Sequence, residues 1–121
     1  MENRVSDYTV GFEGEPEIHF ILNSQGFSWI IKLWEGYFSA IMDPIETGPN
    51  GWTGLALPYH TLSGWNKDEK WQIPNLTEVI EQLSNIEPKR FHDPSHRILL
   101  EIIDLLSLAR KNNQPVFIRR D

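Results

Sequence analysis

The segment from residue 93 to 111 constrains the fold of this chain more than any other. Almost every side chain between Ile98 and Ala109 is apolar, and the polar residues leave only a narrow stripe along a helix, at Arg97, Glu101, Asp104 and Lys111. A helix that is apolar on nearly all sides has to be buried. Asp93 is predicted to cap it and Pro94 to begin it, with Asn112 and Asn113 ending it. The sequence therefore predicts a buried helix that packs against a sheet.

A second, shorter helix is predicted directly before it. Asn75 is placed as an N-cap with Glu78 three residues later, which is the spacing of a capping box. The apolar positions that follow recur at helical spacing, at Leu76, Val79, Ile80 and Leu83. After the long helix, residues 115 to 118 are predicted to add a final strand.

The first half of the chain has strand character. Ile18, Phe20 and Leu22 alternate with His19 and Ile21, which is typical of a strand, and Asn23 to Gly26 is typical of a turn. Ser28 to Trp34 is enriched in tryptophan and isoleucine, so it is predicted as the next strand. These two segments predict a β-hairpin.

A third strand is predicted from Tyr37 to Met42, entered through a tight turn at Glu35-Gly36. The alternative is a helix over residues 27 to 42, which Gly36 disfavours. The complete prediction is an α+β fold in one domain, residues 1–121, with a largely antiparallel sheet that begins as an N-terminal meander and packs against two C-terminal helices.

The stretch from residue 43 to 74 is irregular, since glycine and proline interrupt it repeatedly. It has room for a short strand at residues 52 to 57. Three of the five tryptophans of the chain lie in this stretch, a composition that argues against disorder.

The formal charge of −6 is concentrated in one half of the chain. Residues 1 to 60 contain eight carboxylates and two basic side chains, whereas residues 61 to 121 contain nine of each. Such a field attracts cationic partners and opposes nucleic acids and anionic membranes. The absence of cysteine excludes disulfides and thiolate chemistry and suits a reducing compartment, so a cytoplasmic location is expected.

Histidine supplies the candidate catalytic residues. His92 and His96 are four residues apart, a spacing typical of metal ligands on a helix, but Pro94 lies between them, so the two are not expected on the same helical turn. His19 shares a strand face with Glu17, a pair suited to acid–base chemistry, and His60 lies in the irregular stretch. Because none of these forms a recognisable constellation, the sequence predicts a protein that is not an enzyme and that uses no cofactor and no metal. The residues from 48 to 51 are predicted to form a turn, since the lysine of a phosphate-binding loop is missing.

A binding surface is the stronger prediction. If residues 13 to 17 are extended, their three carboxylates point to one side. Trp34 and Tyr37 flank the expected turn nearby, and carboxylates around large aromatics are typical of protein interfaces. The predicted partner-binding residues are Glu13, Glu15, Glu17, Trp34, Glu35, Tyr37, Asp43 and Glu46.

In its size, lack of cysteine, acidic N-terminal half, tryptophan-rich α+β pattern and lack of a catalytic motif, the chain resembles bacterial toxin-immunity proteins of the contact-dependent growth inhibition and polymorphic toxin type. The resemblance is one of type over the whole chain, and it implies stoichiometric inhibition of a cognate toxin domain, with a basic nuclease as the expected toxin.

The expected partner is therefore a protein, with no nucleic acid and no membrane involved, and the chain is expected to be a monomer before binding. The alternatives are a small hydrolase that uses His60 or His19 with a carboxylate, and a homo-oligomeric module.

Overall fold

The computed structural model describes residues 2–24, 26–42, 70–73, 75–86 and 95–120. Eight helices and strands lie within these ranges. In chain order they are β1 (Glu2–Tyr8), β2 (Glu17–Ser24), β3 (Phe27–Trp34), α1 (Glu35–Met42), β4 (Lys70–Gln72), α2 (Leu76–Ser84), α3 (Ser95–Lys111) and β5 (Val116–Arg120).

The described strands form one five-stranded sheet in the order β1-β3-β2-β5-β4. β1 runs parallel to β3, whereas β2–β3, β2–β5 and β4–β5 are antiparallel. The predicted α+β class with a largely antiparallel sheet is therefore confirmed. The strand expected at residues 52 to 57 lies outside the described residues.

One face of the sheet supplies the core. The core-facing residues of the two central strands are Ile18, Phe20 and Leu22 on β2, and Trp29, Ile31 and Leu33 on β3. None of them is more than 3% exposed. They join one cluster with side chains of α1, α2 and α3. Apolar side chains at every second position of the strands thus pack against the apolar faces of the helices in the opposite layer.

The long helix is buried as the sequence predicts. Its side chains Ile98, Leu105, Leu106 and Ala109 are fully buried in the core cluster. The helix ends at Lys111, followed by Asn113 with a φ of 54°. The Asn113 N–H donates to Arg110 O, and the Gln114 N–H donates to Ala109 O. This pattern is a Schellman motif, in which a left-handed residue lets the last carbonyls find donors. The predicted start at residues 93 and 94 lies outside the described residues.

The shorter helix also begins where the sequence predicts. The Asn75 side chain accepts a hydrogen bond of 3.1 Å from the Glu78 N–H, as an N-cap does. The β2–β3 hairpin is confirmed as well. Gly26 in its turn has a φ of 73°, a conformation that costs glycine little.

The third strand of the predicted meander is wrong. Residues 35–42 form α1, so the Glu35-Gly36 tight turn is instead the first turn of a helix. Phe38, Ile41 and Met42 lie at helical spacing, and all three are buried in the core. A strand would have placed Phe38 and Ile41 on opposite faces. The alternative helix over residues 27 to 42 is correct only for its second half, since residues 27–34 are β3.

The edge strand β1 was not predicted. Its side chains are largely polar, and the strand is stabilised by tertiary contacts. The Tyr8 hydroxyl donates to Glu101 Oε1 at 2.9 Å, and the Arg4 guanidinium lies 4.1 Å from the Trp29 ring centroid. Trp29 Nε1 donates to Ser6 Oγ at 3.2 Å. These contacts join β1 to β3 and to α3.

Candidate functional site

Three half-buried aromatic side chains gather at one end of the sheet, and we call Phe12, Trp34 and Tyr37 the aromatic cluster. The Phe12 and Trp34 rings stack with centroids 4.1 Å apart and an interplanar angle of 4°. Tyr37 meets both edge-on, at 5.5 Å from Phe12 and 5.3 Å from Trp34. Stacked and edge-to-face pairs of this kind contribute about 0.5–1.5 kcal/mol each beyond the area they bury.

The local chain path explains why the cluster forms. Trp34 is the last residue of β3 and pairs in register with Glu17, the first residue of β2. The Glu35 N–H donates to Pro16 O at 3.0 Å, which joins the start of α1 to the end of the β1–β2 loop. A Cβ built at Gly36 would overlap the six-membered ring of Trp34. Any side chain at position 36 would therefore force the indole to shift, whereas glycine lets it lie against the backbone.

The loop that carries Phe12 consists of two successive turns. The Phe12 N–H donates to Thr9 O and the Glu15 N–H donates to Phe12 O, each at 3.0 Å. Gly11 and Gly14 have φ values of 94° and 89°. The condition for three aligned carboxylates, an extended stretch from residue 13 to 17, is therefore not met: residues 13–15 form a turn with Gly14 at positive φ, and only Glu17 lies in a strand.

The loop presents its carboxylates to solvent. Glu13 and Glu15 are exposed on either side of Gly14, and they follow Phe12, which anchors the loop to Trp34. Backbone N–H groups of Glu13 itself and of Gly11 lower the pKa of the Glu13 carboxyl. The turns and the aromatic stack thus hold the backbone that carries both carboxylates, and the Gly11 N–H also donates to the Glu13 carboxylate, although the carboxylates do not line one side of a strand.

Glu17 forms the predicted pair with His19. His19 Nε2 lies 2.8 Å from Glu17 Oε1, and the histidine is 5% exposed on β2. In register with His19 are Lys32 on β3 and Arg119 on β5. A row of charged residues thus crosses the sheet face opposite to the helices, and Asp7 continues it on β1.

Asp7 is the exposed acidic end of that row. Thr9 donates to its Oδ1 through both its hydroxyl and its backbone N–H. These hydrogen bonds, first the side-chain one and then the backbone one, lower the pKa of Asp7, and the charges of Lys32 and His19 lower it further.

The structure brings most of the predicted surface residues to the same end of the sheet. Trp34 and Tyr37 belong to the aromatic cluster, Glu35 begins α1 between them, and Glu17 pairs with Trp34. Asp43 and Glu46 lie outside the described residues. Phe12 was not among the predicted site residues. The pattern that could have indicated it is an aromatic residue between two turn glycines.

The described part of the chain brings together few catalytic groups besides His19 and Glu17. His96 is half-buried on α3, while His60, His92 and residues 48 to 51 lie outside the described ranges. Within those ranges no group of three or more histidine, cysteine, aspartate or glutamate side chains could hold a metal ion. Nor does any helix found there have the length and apolar character needed to span a bilayer.

A shallow cleft of about 450 Å³ lies between the start of α2 and the end of α3. Among the described residues that line it, the polar ones include Gln72, Asn75, Arg110 and Asn113, and none is a histidine or a carboxylate. This cleft shares no residue with the aromatic cluster and does not provide acid–base groups.

Comparisons of the chain with known protein families, with curated proteins and with solved structures find no match. The interpretation of the site therefore depends on its own geometry and charge.

Proposed function

We propose that this chain is an immunity protein that binds a cognate bacterial toxin domain and neutralises it in the cytoplasm. The observation that carries the proposal is the aromatic cluster with exposed carboxylates held beside it in a folded loop. Half-exposed aromatics supply contact area for a partner, and surrounding charges steer its approach.

The charge of this surface indicates a basic partner. Between Arg4 and Lys32 the chain contains four carboxylates and no lysine or arginine. A negative surface accelerates association with a basic protein, and the acceleration falls as salt increases. A nuclease toxin, whose active site attracts a polyanion, has the complementary charge.

The loop is also held rigidly, which favours tight binding. Its backbone hydrogen bonds and the Phe12–Trp34 stack hold the backbone that carries the carboxylates before the partner arrives. Binding then loses less conformational entropy than it would with a mobile loop.

The test is titration calorimetry and association kinetics with the toxin domain encoded immediately upstream of the gene. We expect tight binding of one toxin domain per chain and loss of the toxin's activity. In Glu13→Lys/Glu15→Lys the association rate should fall by roughly ten- to a hundredfold at low salt, with a smaller effect at high salt.

The matched control is Glu81→Lys/Asp104→Lys, which makes the same change in net charge at exposed positions of α2 and α3. An equal loss of rate in both variants would show that overall charge matters and this loop does not. Absence of binding between two folded proteins would contradict the immunity function itself.

A hydrolase is the second candidate, because His19 and Glu17 are in contact at 2.8 Å. Its difficulty is access, since His19 is only 5% exposed and a general base must reach the substrate. A hydrolase screen with wild type and His19→Gln would test it, and a hydrolytic activity lost in the variant would favour the enzyme over the inhibitor.

A further inference from the structure

The strand β1 leaves a backbone edge that no described strand occupies. It is the outermost strand on its side of the five-stranded sheet, and it pairs only with β3 among the described strands. It is seven residues long, whereas β4 at the opposite edge has three. A long edge strand presents unpaired N–H and C=O groups that can pair with another chain.

Val5 lies at the centre of β1 and ends an apolar row. In register across the sheet, Val5 is followed by Ile30 on β3, Ile21 on β2 and Phe117 on β5. This row is on the face opposite to the helices, and Ile21 is 7% exposed yet does not belong to the main core cluster. The row stops at the edge with Val5, which is 56% exposed.

We infer that two copies of this chain pair antiparallel along β1, with a two-fold axis at Val5. The two sheets then form one sheet of ten described strands, and the apolar row continues from one copy into the other. A closed two-fold dimer is the commonest assembly of identical chains.

The side chains of β1 favour this register over its alternatives. With the axis at Val5, all seven residues of the strand are paired: Val5 faces Val5, Asn3 faces Asp7, Arg4 faces Ser6, and Glu2 faces Tyr8. No like charges are directly opposite. An axis at Arg4 would place two guanidiniums opposite each other, and an axis at Asp7 two carboxylates, both of which destabilise strand pairing.

Axes at Glu2, Asn3 and Tyr8 pair three residues of the strand or fewer, which leaves the register with its axis at Ser6. It pairs only five residues of the strand and places Val5 opposite Asp7, so the apolar row would meet a charge. The self-complementarity of β1 is therefore specific to the axis at Val5. Since one strand pair buries little area, the dimer should be weak, with a dissociation constant of about micromolar or higher.

Disulfide trapping tests the register directly, because the chain contains no cysteine of its own. Opposite residues of an antiparallel pair have Cα atoms about 4.5 or 5.5 Å apart, and both distances suit a disulfide. Val5→Cys should therefore form a covalent dimer under mild oxidation. The control Val10→Cys is still more exposed, at 77%, but lies beyond the strand, so it should stay largely unlinked.

Light scattering and sedimentation of the uncrosslinked protein complete the test. We expect the mass to rise from one chain towards two between about micromolar and millimolar concentration. Val5→Lys places two ammonium groups opposite each other and should weaken the dimer at least about tenfold, whereas Val10→Lys should not. A wild type that stays monomeric throughout, or equal crosslinking of both cysteine variants, would overturn the inference. So would a dimer that Val5→Lys leaves intact.

Discussion

Replacing Gly36 by alanine should reveal how tightly α1 and the aromatic cluster depend on each other. In an ordinary helix this change stabilises by up to about 1 kcal/mol, because alanine loses less backbone entropy on folding. At Gly36 the new methyl group would overlap the Trp34 ring. A shift of the Trp34 ring would disturb its stack with Phe12, whose centroid lies 4.1 Å away.

The expected effect is therefore a loss of stability. Displacing the indole costs roughly 1–3 kcal/mol of overpacking, and the lost stack adds about 0.5–1.5 kcal/mol. After the gain in helix propensity is subtracted, Gly36→Ala should destabilise the protein by roughly 1–3 kcal/mol. The same substitution in a Trp34→Ala background should instead stabilise by about 0.5–1 kcal/mol, because the obstacle is gone.

Equilibrium urea denaturation of the four proteins in this double-mutant cycle measures both effects. Ala40→Gly serves as the control, since residue 40 is exposed on the same helix and should cost about 0.5–1 kcal/mol in either background. If Gly36→Ala has the same sign with and without the indole, the close approach of Trp34 does not govern position 36.

Three further changes test other parts of the fold. Asn113→Gly should stabilise by a few tenths to about 1 kcal/mol in thermal unfolding, because the φ of 54° suits glycine, whereas Asn113→Ala should destabilise. The lowered pKa of Asp7 adds stability that is present above its ordinary pKa of 3.8 and is lost as pH falls through the folded value. When the free energy of unfolding is measured against pH, Asp7→Asn should therefore lose less stability on acidification than wild type. Tyr8→Phe removes the donor to Glu101 and should cost about 1–3 kcal/mol in urea, because the partly buried carboxylate then loses a hydrogen bond. Burial is the main cause that raises the pKa of the Tyr8 hydroxyl, and the hydrogen bond to Glu101 raises it further. The stability that the neutral hydroxyl contributes is therefore fully present below its ordinary pKa of 10.0 and is lost as pH rises through the folded value. Wild type should show this loss of stability at high pH, whereas Tyr8→Phe should not.

The helices that local chemistry determines were predictable from the sequence. Asn75 and the apolar stripe after it define α2, and the continuous apolar run from Ile98 defines α3. Capping and periodicity act within a few residues, so they are readable without knowledge of the fold.

Elements that depend on distant contacts were not predictable. Nothing in residues 2–8 has the alternation of a half-buried strand, and β1 is held by Tyr8 reaching Glu101, 93 positions away. The change from β3 to α1 was obscured because apolar residues are dense over residues 27–42, so that a period of two and a period of 3.6 both fit. Gly36 is a helix breaker by propensity, yet it lies in the first turn of α1, where the Trp34 indole occupies the space that a Cβ would take.

The parts of the proposed site differ in how far the sequence predicts them. Trp34 and Tyr37 were expected to flank a turn, and their rings are in contact because α1 begins between them. Phe12 joins them through a loop whose fold depends on Gly11 and Gly14 at positive φ. Alternating glutamates would line one side of the chain if it were extended. The backbone torsions at the glycines place the first part of this stretch in a turn instead, and the pattern of glutamates does not reveal this.

The strand β1 connects the two surfaces proposed for this protein, and their positions make them separable. The dimer axis is at Val5 in the middle of the strand, whereas the carboxylates lie in the loop after its end, on turns held by Phe12. Antiparallel pairing at Val5 directs the two loops away from each other, so each copy keeps its own surface for a partner. Val5→Lys should therefore halve the mass of the assembly without slowing toxin association, and Glu13→Lys/Glu15→Lys should slow association without changing the mass. A variant that alters both would show that the strand and the loop act as one interface.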